Sequence, residues 1–144
     1  MLVHQILKSK ASSEVVTIAP DASVTEAAKT LSARKIGTLV VSSDGKTAEG
    51  VLSERDIVRE LGARGATCMD DTVGQMMTKD PVTCEPEDSA DMVLRKMTEG
   101  RFRHMPVVQG GAMVGVITLG DAVKARLLEV SMEKEALEGM IMGF

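Results

Sequence analysis

The chain states one supersecondary unit twice, and that repeat constrains the fold more than any other feature. Val16-Thr17-Ile18-Ala19-Pro20 returns 66 positions later as Val82-Thr83-Cys84-Glu85-Pro86. Ser23 returns as Ser89. After these serines, Val24, Ala27, Ala28 and Leu31, and then Ala90, Val93, Leu94 and Met97, fall at the i, i+3, i+4, i+7 spacing of an amphipathic helix. Ile36-Gly37-Thr38-Leu39-Val40-Val41 corresponds to Phe102-Arg103-His104-Met105-Pro106-Val107. Gly50-Val51-Leu52-Ser53-Glu54-Arg55-Asp56 corresponds to Gly115-Val116-Ile117-Thr118-Leu119-Gly120-Asp121.

Each copy therefore reads as strand, helix, strand, turn, strand, helix. The turns are Asp44-Gly45 and Gln109-Gly110-Gly111, which carry hairpin chemistry. The second helices start near Asp56 and Asp121, and the latter runs long, to about Gly139 by its pattern. Val3-His4-Gln5-Ile6-Leu7 resembles Val73-Gly74-Gln75-Met76-Met77, so each half opens with a half-turn of helix. Gly62 to Asp71 is the expected linker. The division this predicts is 1–69 for the first repeat, with its N-terminal helical segment and linker, and 70–144 for the second, with the long C-terminal helix. The linker is short, so the copies pack together.

Composition narrows function. A net charge of −4 argues against a general nucleic-acid surface. Phe102 and Phe144 are the only aromatics, too few for base-stacking platforms. No apolar run reaches the length of a membrane span. The N-terminus lacks the long apolar core of a signal peptide, and Cys68 and Cys84 form neither a disulfide framework nor a zinc pattern. A reducing cytoplasm is the expected compartment. No nucleophile–base set or metal-binding histidine pair appears, so the expectation is a protein that is not an enzyme and holds no metal.

The strongest chemical signal is Gly-apolar-apolar-Ser/Thr-x-x-Asp, at Gly50 to Asp56 and Gly115 to Asp121. Two readings stand. One is a capping box, with the hydroxyl on the N3 amide and the acid at the positive helix end. The other is a ligand site, where a helix N-terminus and hydroxyl favour phosphate and the acid accepts hydrogen bonds from a ribose diol. On that reading glycine leaves room for close backbone approach. Arg101-Phe102-Arg103-His104 forms a basic stretch before a strand. It is either a solvated loop or a phosphate site, where Arg103 and His104 suit phosphate oxygens and His104 is expected to help more when protonated. Arg55 either reaches the same cleft or pairs with Glu54 or Asp56. Thr17 and Thr83 are β-formers or contacts to base or ribose.

These residues resemble the cystathionine-β-synthase (CBS) domain, and the tandem resembles a Bateman module of the kind found in small stand-alone bacterial proteins. The resemblance rests on Leu52-Ser53-Glu54-Arg55-Asp56-Ile57-Val58, on Arg103-His104-Met105-Pro106-Val107-Val108, and on Gly115 to Asp121. It implies an α/β (α+β) fold of two β-α-β-β-α repeats packed through their sheets with pseudo-twofold symmetry. It also implies a regulatory, energy-sensing module binding an adenine nucleotide (AMP, ADP, ATP, NAD or NADH) in clefts between the repeats. Ser53 and Asp56 then serve one cleft and Thr118 and Asp121 the other, with Arg103 and His104 near phosphate. The base would lie against Ile18, Leu39, Met105 and Pro106. Thr38 stands where the second copy has His104, and Val40 where it has Pro106, so the tighter site is expected at Arg103, Thr118 and Asp121. The apolar C-terminal helix predicts a homodimer. The alternative is an interaction protein with empty clefts that acts through dimerisation, on a partner protein the sequence does not identify.

Overall fold

The structure, a computed structural model, describes residues 1–10 and 14–142. Its first elements are α1 (Val3–Ser9), β1 (Thr17–Ile18), α2 (Val24–Arg34), β2 (Thr38–Val41), β3 (Gly50–Ser53) and α3 (Glu54–Arg64). A 3₁₀ turn (Ala66–Asp70), α4 (Val73–Met76) and β4 (Thr78–Lys79) lead into the second half. There, α5 (Ala90–Gly100), β5 (His104–Gln109), β6 (Ala112–Thr118) and α6 (Leu119–Ile141) complete the chain. The mixed α/β fold and the doubled unit match the sequence reading.

Capping chemistry places the helices. Ser23 and Ser89 accept from the N3 amides of α2 and α5, and Ser53 and Thr118 do the same for α3 and α6. Both helices of the first kind end on a residue in the left-handed region, Lys35 (φ 54°) and Arg101 (φ 57°). These two occupy the same place in the repeat.

The two hairpins close differently. Gly110 and Gly111, at φ 60° and 81°, form the two-residue turn between β5 and β6 that their sequence calls for. Asp44-Gly45 instead sits inside a longer loop. There the Asp44 carboxylate accepts from the N–H groups of Lys46 and Thr47, both at 2.8 Å, which is an Asx turn rather than a tight hairpin.

In the first half β1 runs parallel to β2, and β2 is antiparallel to β3. The matching first strand of the second half shrinks to a single parallel bridge, Cys84 to Val107. Cys84 N–H donates to Pro106 O at 3.0 Å and Val108 N–H to Cys84 O at 2.8 Å. The expected strand through Val82 and Thr83 is absent. Pro81 and Pro86 bracket it and cannot donate to a ladder.

The cores do not follow the order of the repeat along the chain. Val73 and Met76 of α4 pack with Val24, Leu31, Leu39, Leu52 and Ile57 of the first half. Val3 and Ile6 of α1 pack with Val93, Met97, Met105, Val107 and Ile117 of the second. Each opening helix thus serves the opposite half, and β4 adds itself antiparallel to β3.

The repeat glycines make this exchange possible. A Cβ on Gly50 would strike Met77 and the Thr78 carbonyl, and one on Gly115 would strike Leu7. The expected room for a ligand at these glycines is filled by the crossing segments. The stretch expected as a linker is also structural. Helix α3 runs to Arg64, and Cys68 is 0% exposed in the first core.

Leu39 and Val41 point into one core, so Thr38 and Val40 face the other way along β2. Met105 and Val107 likewise leave His104 and Pro106 on the opposite face of β5. Those faces meet. Thr38 Oγ1 and His104 Nδ1, equivalent residues of the two repeats, hydrogen-bond at 2.9 Å, so the pseudo-twofold axis passes between them. Val40 and Pro106 are buried in the same layer.

Candidate functional site

A cleft of about 480 Å³ opens beside this axis. The first half contributes Gly37, Thr38, Val51, Ser53, Glu54, Arg55, Asp56 and Arg59. The second contributes Arg101, Phe102, Arg103 and His104, and the crossing segment adds Asp80, Pro81 and Val82. Ser53 and Asp56 close a capping box at its base. Asp56 Oδ2 accepts from Ser53 N–H at 2.9 Å and from Ser53 Oγ at 3.0 Å, while Asp56 N–H donates to Ser53 Oγ at 3.3 Å. Arg59 holds the other oxygen, Oδ1, at 3.0 Å. Asp56 is 8% exposed, yet its carboxylate borders the cleft.

Arg55, Arg101 and Arg103 are exposed and have no ion pair among the described residues. Arg55 pairs with neither Glu54 nor Asp56, because Arg59, one turn along the helix, takes the acid instead. Three unpaired guanidinium groups around one cleft favour an anion able to accept several hydrogen bonds.

The charged form of His104 is disfavoured. Burial and the nearby cations Lys10 and Arg103 lower its pKa below 6.5. Its Nδ1 is engaged by Thr38 Oγ1 at 2.9 Å, and the protonated form expected to help hold phosphate is displaced to lower pH.

The second copy of the motif has the same capping geometry. Thr118 N–H donates to Asp121 Oδ2 at 2.9 Å, and Asp121 N–H donates to Thr118 Oγ1 at 3.1 Å. Its surroundings differ, since Lys10 Nζ lies 2.9 Å from Asp121 Oδ2. Burial would raise the Asp121 pKa, but the Thr118 amide and the Lys10 ammonium outweigh it and hold the carboxyl below its ordinary value.

The structure regroups the residues expected to act together. Arg103 and His104 line the cleft of Ser53 and Asp56, although His104 also pairs in register with Thr118. The Arg103 carbonyl does accept from Leu119 N–H at 2.8 Å, which ties its backbone to the second motif while its side chain borders the first. Gly37 accepts from Glu54 N–H in the same way in the other half.

Met105 packs in the second core, Leu39 in the first, and Pro106 between the sheets, so none of them borders this cleft. Ile18 packs against the first core. Thr17 lies half-buried in β1 and Thr83 is exposed, and neither borders the cleft. Sequence reasoning missed Arg59, Asp80, Pro81, Val82 and Lys10. Only Arg59, three residues from Asp56 on one helix, left a local signal.

Cys84 is buried, and that burial pushes its thiol pKa up to about 12. Among the described residues no cluster of His, Cys, Asp and Glu is arranged to hold a metal, and no helix is long and apolar enough to cross a membrane.

Two tandem α/β units, joined through their sheets with a cleft beside the axis, define a paired-repeat module. The chain belongs to the CBS domain family, whose profile matches residues 3–63 and 73–128. It is 30% identical to a mitochondrial CBS domain-containing protein of Arabidopsis thaliana, across 98% of this chain and 72% of that protein. Other CBS domain-containing proteins of that plant are much longer, and the chain spans 22% of one and 25% of another. Among solved structures, a CBS-domain containing protein from Agrobacterium tumefaciens is 42% identical with a TM-score of 0.82, covering 88% of this chain and 99% of that one. A CBS domain protein from Pyrobaculum aerophilum, complexed with AMP, is 27% identical with a TM-score of 0.78, covering 92% of this chain and 99% of that one.

Proposed function

We propose that this protein is a non-catalytic regulatory module that binds an adenine nucleotide, of the class AMP, ADP, ATP, NAD or NADH, in the cleft of Ser53 and Asp56. The observation that carries the reading is the meeting in one cleft of the Asp56 carboxylate at the α3 N-terminus with the unpaired Arg55, Arg101 and Arg103. The acid accepts the ribose hydroxyls and Arg59 swings aside. The guanidinium groups and the α3 N-terminus take phosphate. Val51, Pro81, Val82 and Phe102 supply an apolar wall for the base. The AMP complex of the Pyrobaculum aerophilum relative supports the ligand class. The buried free thiols fit a reducing compartment such as the cytoplasm.

Thermal melting with AMP, ADP, ATP, NAD, NADH and S-adenosylmethionine tests this. A ligand at 100 times its Kd adds about 2.7 kcal/mol, roughly 5–10 °C for a chain of this size. No shift with any of them overturns the reading.

A second property rests on α6. Val123, Leu127, Val130, Leu137 and Ile141 recur at alternating three- and four-residue steps, with Lys134 completing the series. All five are exposed, Leu127 at 66% and Ile141 at 84%. We infer that this stripe pairs with its copy in a homodimer. This stripe also favours the reading of an interaction module, which predicts dimers and no nucleotide. Light scattering at micromolar concentration is expected to give twice the chain mass. A monomer refutes the dimer.

A further inference from the structure

The motif that borders the cleft in the first half recurs in the second as Thr118 and Asp121, and a lysine faces it there. The alignment of Val3 to Leu7 with Val73 to Met77 continues to place Lys10 opposite Asp80. Asp80 borders the first cleft together with Val51 and Asp56. The second-half counterparts of Val51 and Asp56 are Val116 and Asp121. Lys10 Nζ donates to both, to Val116 O at 3.0 Å and Asp121 Oδ2 at 2.9 Å. Its ammonium thus stands in the second half where the cleft stands in the first.

We propose that Lys10 stands in the second half where a nucleotide would otherwise bind, holding the acid that would receive a ribose, so that each chain takes one nucleotide, at Asp56. This rests on the nucleotide reading above.

The contrast in partners supports it. Arg59, on Asp56, is 62% exposed and its bond is screened by water, so a ligand displaces it readily. Lys10 and Asp121 are only 24% and 22% exposed, and the ammonium also answers a backbone carbonyl. A ligand entering there must break two charge-assisted bonds and leave the ammonium to find new partners. In the first cleft the matching residue is an acid, which cannot neutralise Asp56 and adds to the demand for a cation or hydroxyl donor.

The test is titration calorimetry with AMP and with ATP on the full chain. The wild type is expected to take one nucleotide per chain, with binding lost in Asp56→Ala and in Asp56→Asn. Lys10→Ala, and Lys10→Gln with its longer stem, are expected to raise the stoichiometry to two. Adding Asp121→Ala to either is expected to return it to one. Melting curves of each variant confirm that it is folded. Two sites in the wild type, or one Asp56-dependent site in both Lys10 variants, overturn the role of Lys10 and leave the nucleotide reading standing. Absence of binding in the wild type, or binding indifferent to both Asp56 variants, overturns the nucleotide reading and this inference with it.

Discussion

The helix starts at Ser53 and Thr118 are near copies, down to the reciprocal bonds with Asp56 and Asp121. What faces them is not. Asp56 looks into a cleft with three unpaired arginines, while Asp121 is held by Lys10. The shared part comes from residues three apart, so the motif fixes it wherever it occurs. Part of the difference is local, since Arg55 has Gly120 as its counterpart, and the rest comes from segments far away in sequence. The cap is the same in both halves, and what faces each copy differs.

The largest expected effect concerns those crossing segments. Ile6→Ala should destabilise the protein by about 2–5 kcal/mol, and the loss should appear in the second half, where Ile6 packs. Hydrogen exchange locates it. Faster exchange in α5 and in β5–β6 is expected. A loss confined to α2 and β2 would break the assignment of α1 to the opposite core.

Next comes the cleft. Arg103→Ala should cost about 1.5–3 kcal/mol of nucleotide affinity, as for a bond to a charged group. It should act on the same site as Asp56→Ala, since both residues border one cleft. Calorimetry showing that the two variants remove different binding phases would undo this grouping.

The glycines sharpen the comparison at smaller scale. A Cβ at Gly50 lies 2.8 Å from the Thr78 backbone carbonyl, which cannot turn away. At Gly115 it lies 2.7 Å from Leu7 Cδ2, the far end of a flexible side chain. Gly50→Ala should therefore cost about 1–3 kcal/mol and Gly115→Ala less. Urea unfolding of the two variants decides, and an inverted order would show that the halves are braced differently from the contacts seen.

The smallest effect is the pH response at the axis. His104 has a folded pKa below 6.5, so between the two values the unfolded chain binds more protons. Its contribution to stability is complete above about pH 6.5 and falls as pH drops through the lower folded value. His104→Gln should flatten this part of the stability–pH curve. An unchanged slope would assign it to other groups.

Much of this was readable in advance. Caps, the Gly110-Gly111 turn and the burial of Cys84 depend on neighbours in sequence or on repeat register. The exchange of α1 and α4 was not readable, because an amphipathic turn such as Val3 and Ile6 fits either core equally well by pattern. The Gly62 to Asp71 stretch looked like a connector because its polarity hides Cys68 and Met69, which anchor it on the first core. The cleft was misgrouped for a related reason. Arg103 precedes the second strand pair in sequence, but it borders the cleft formed with Ser53 and Asp56 of the first half. Lys10 carries no local mark at all, since a lysine after a short helix is ordinary until the fold brings it to Asp121.

The exchanged helices also bear on how the molecule is assembled. During synthesis the first core stays open until Val73 and Met76 emerge, and the α1 residues Val3 and Ile6 wait without a home until β5 and β6 exist. Closure of each half depends on a strand of sequence threaded to the other, which raises the separation between contacting residues and slows folding. The same interlacing removes any state in which one half is finished alone, so heat or urea should unfold the two together in a single transition. A duplicated unit that began as two folding events has been clasped into one.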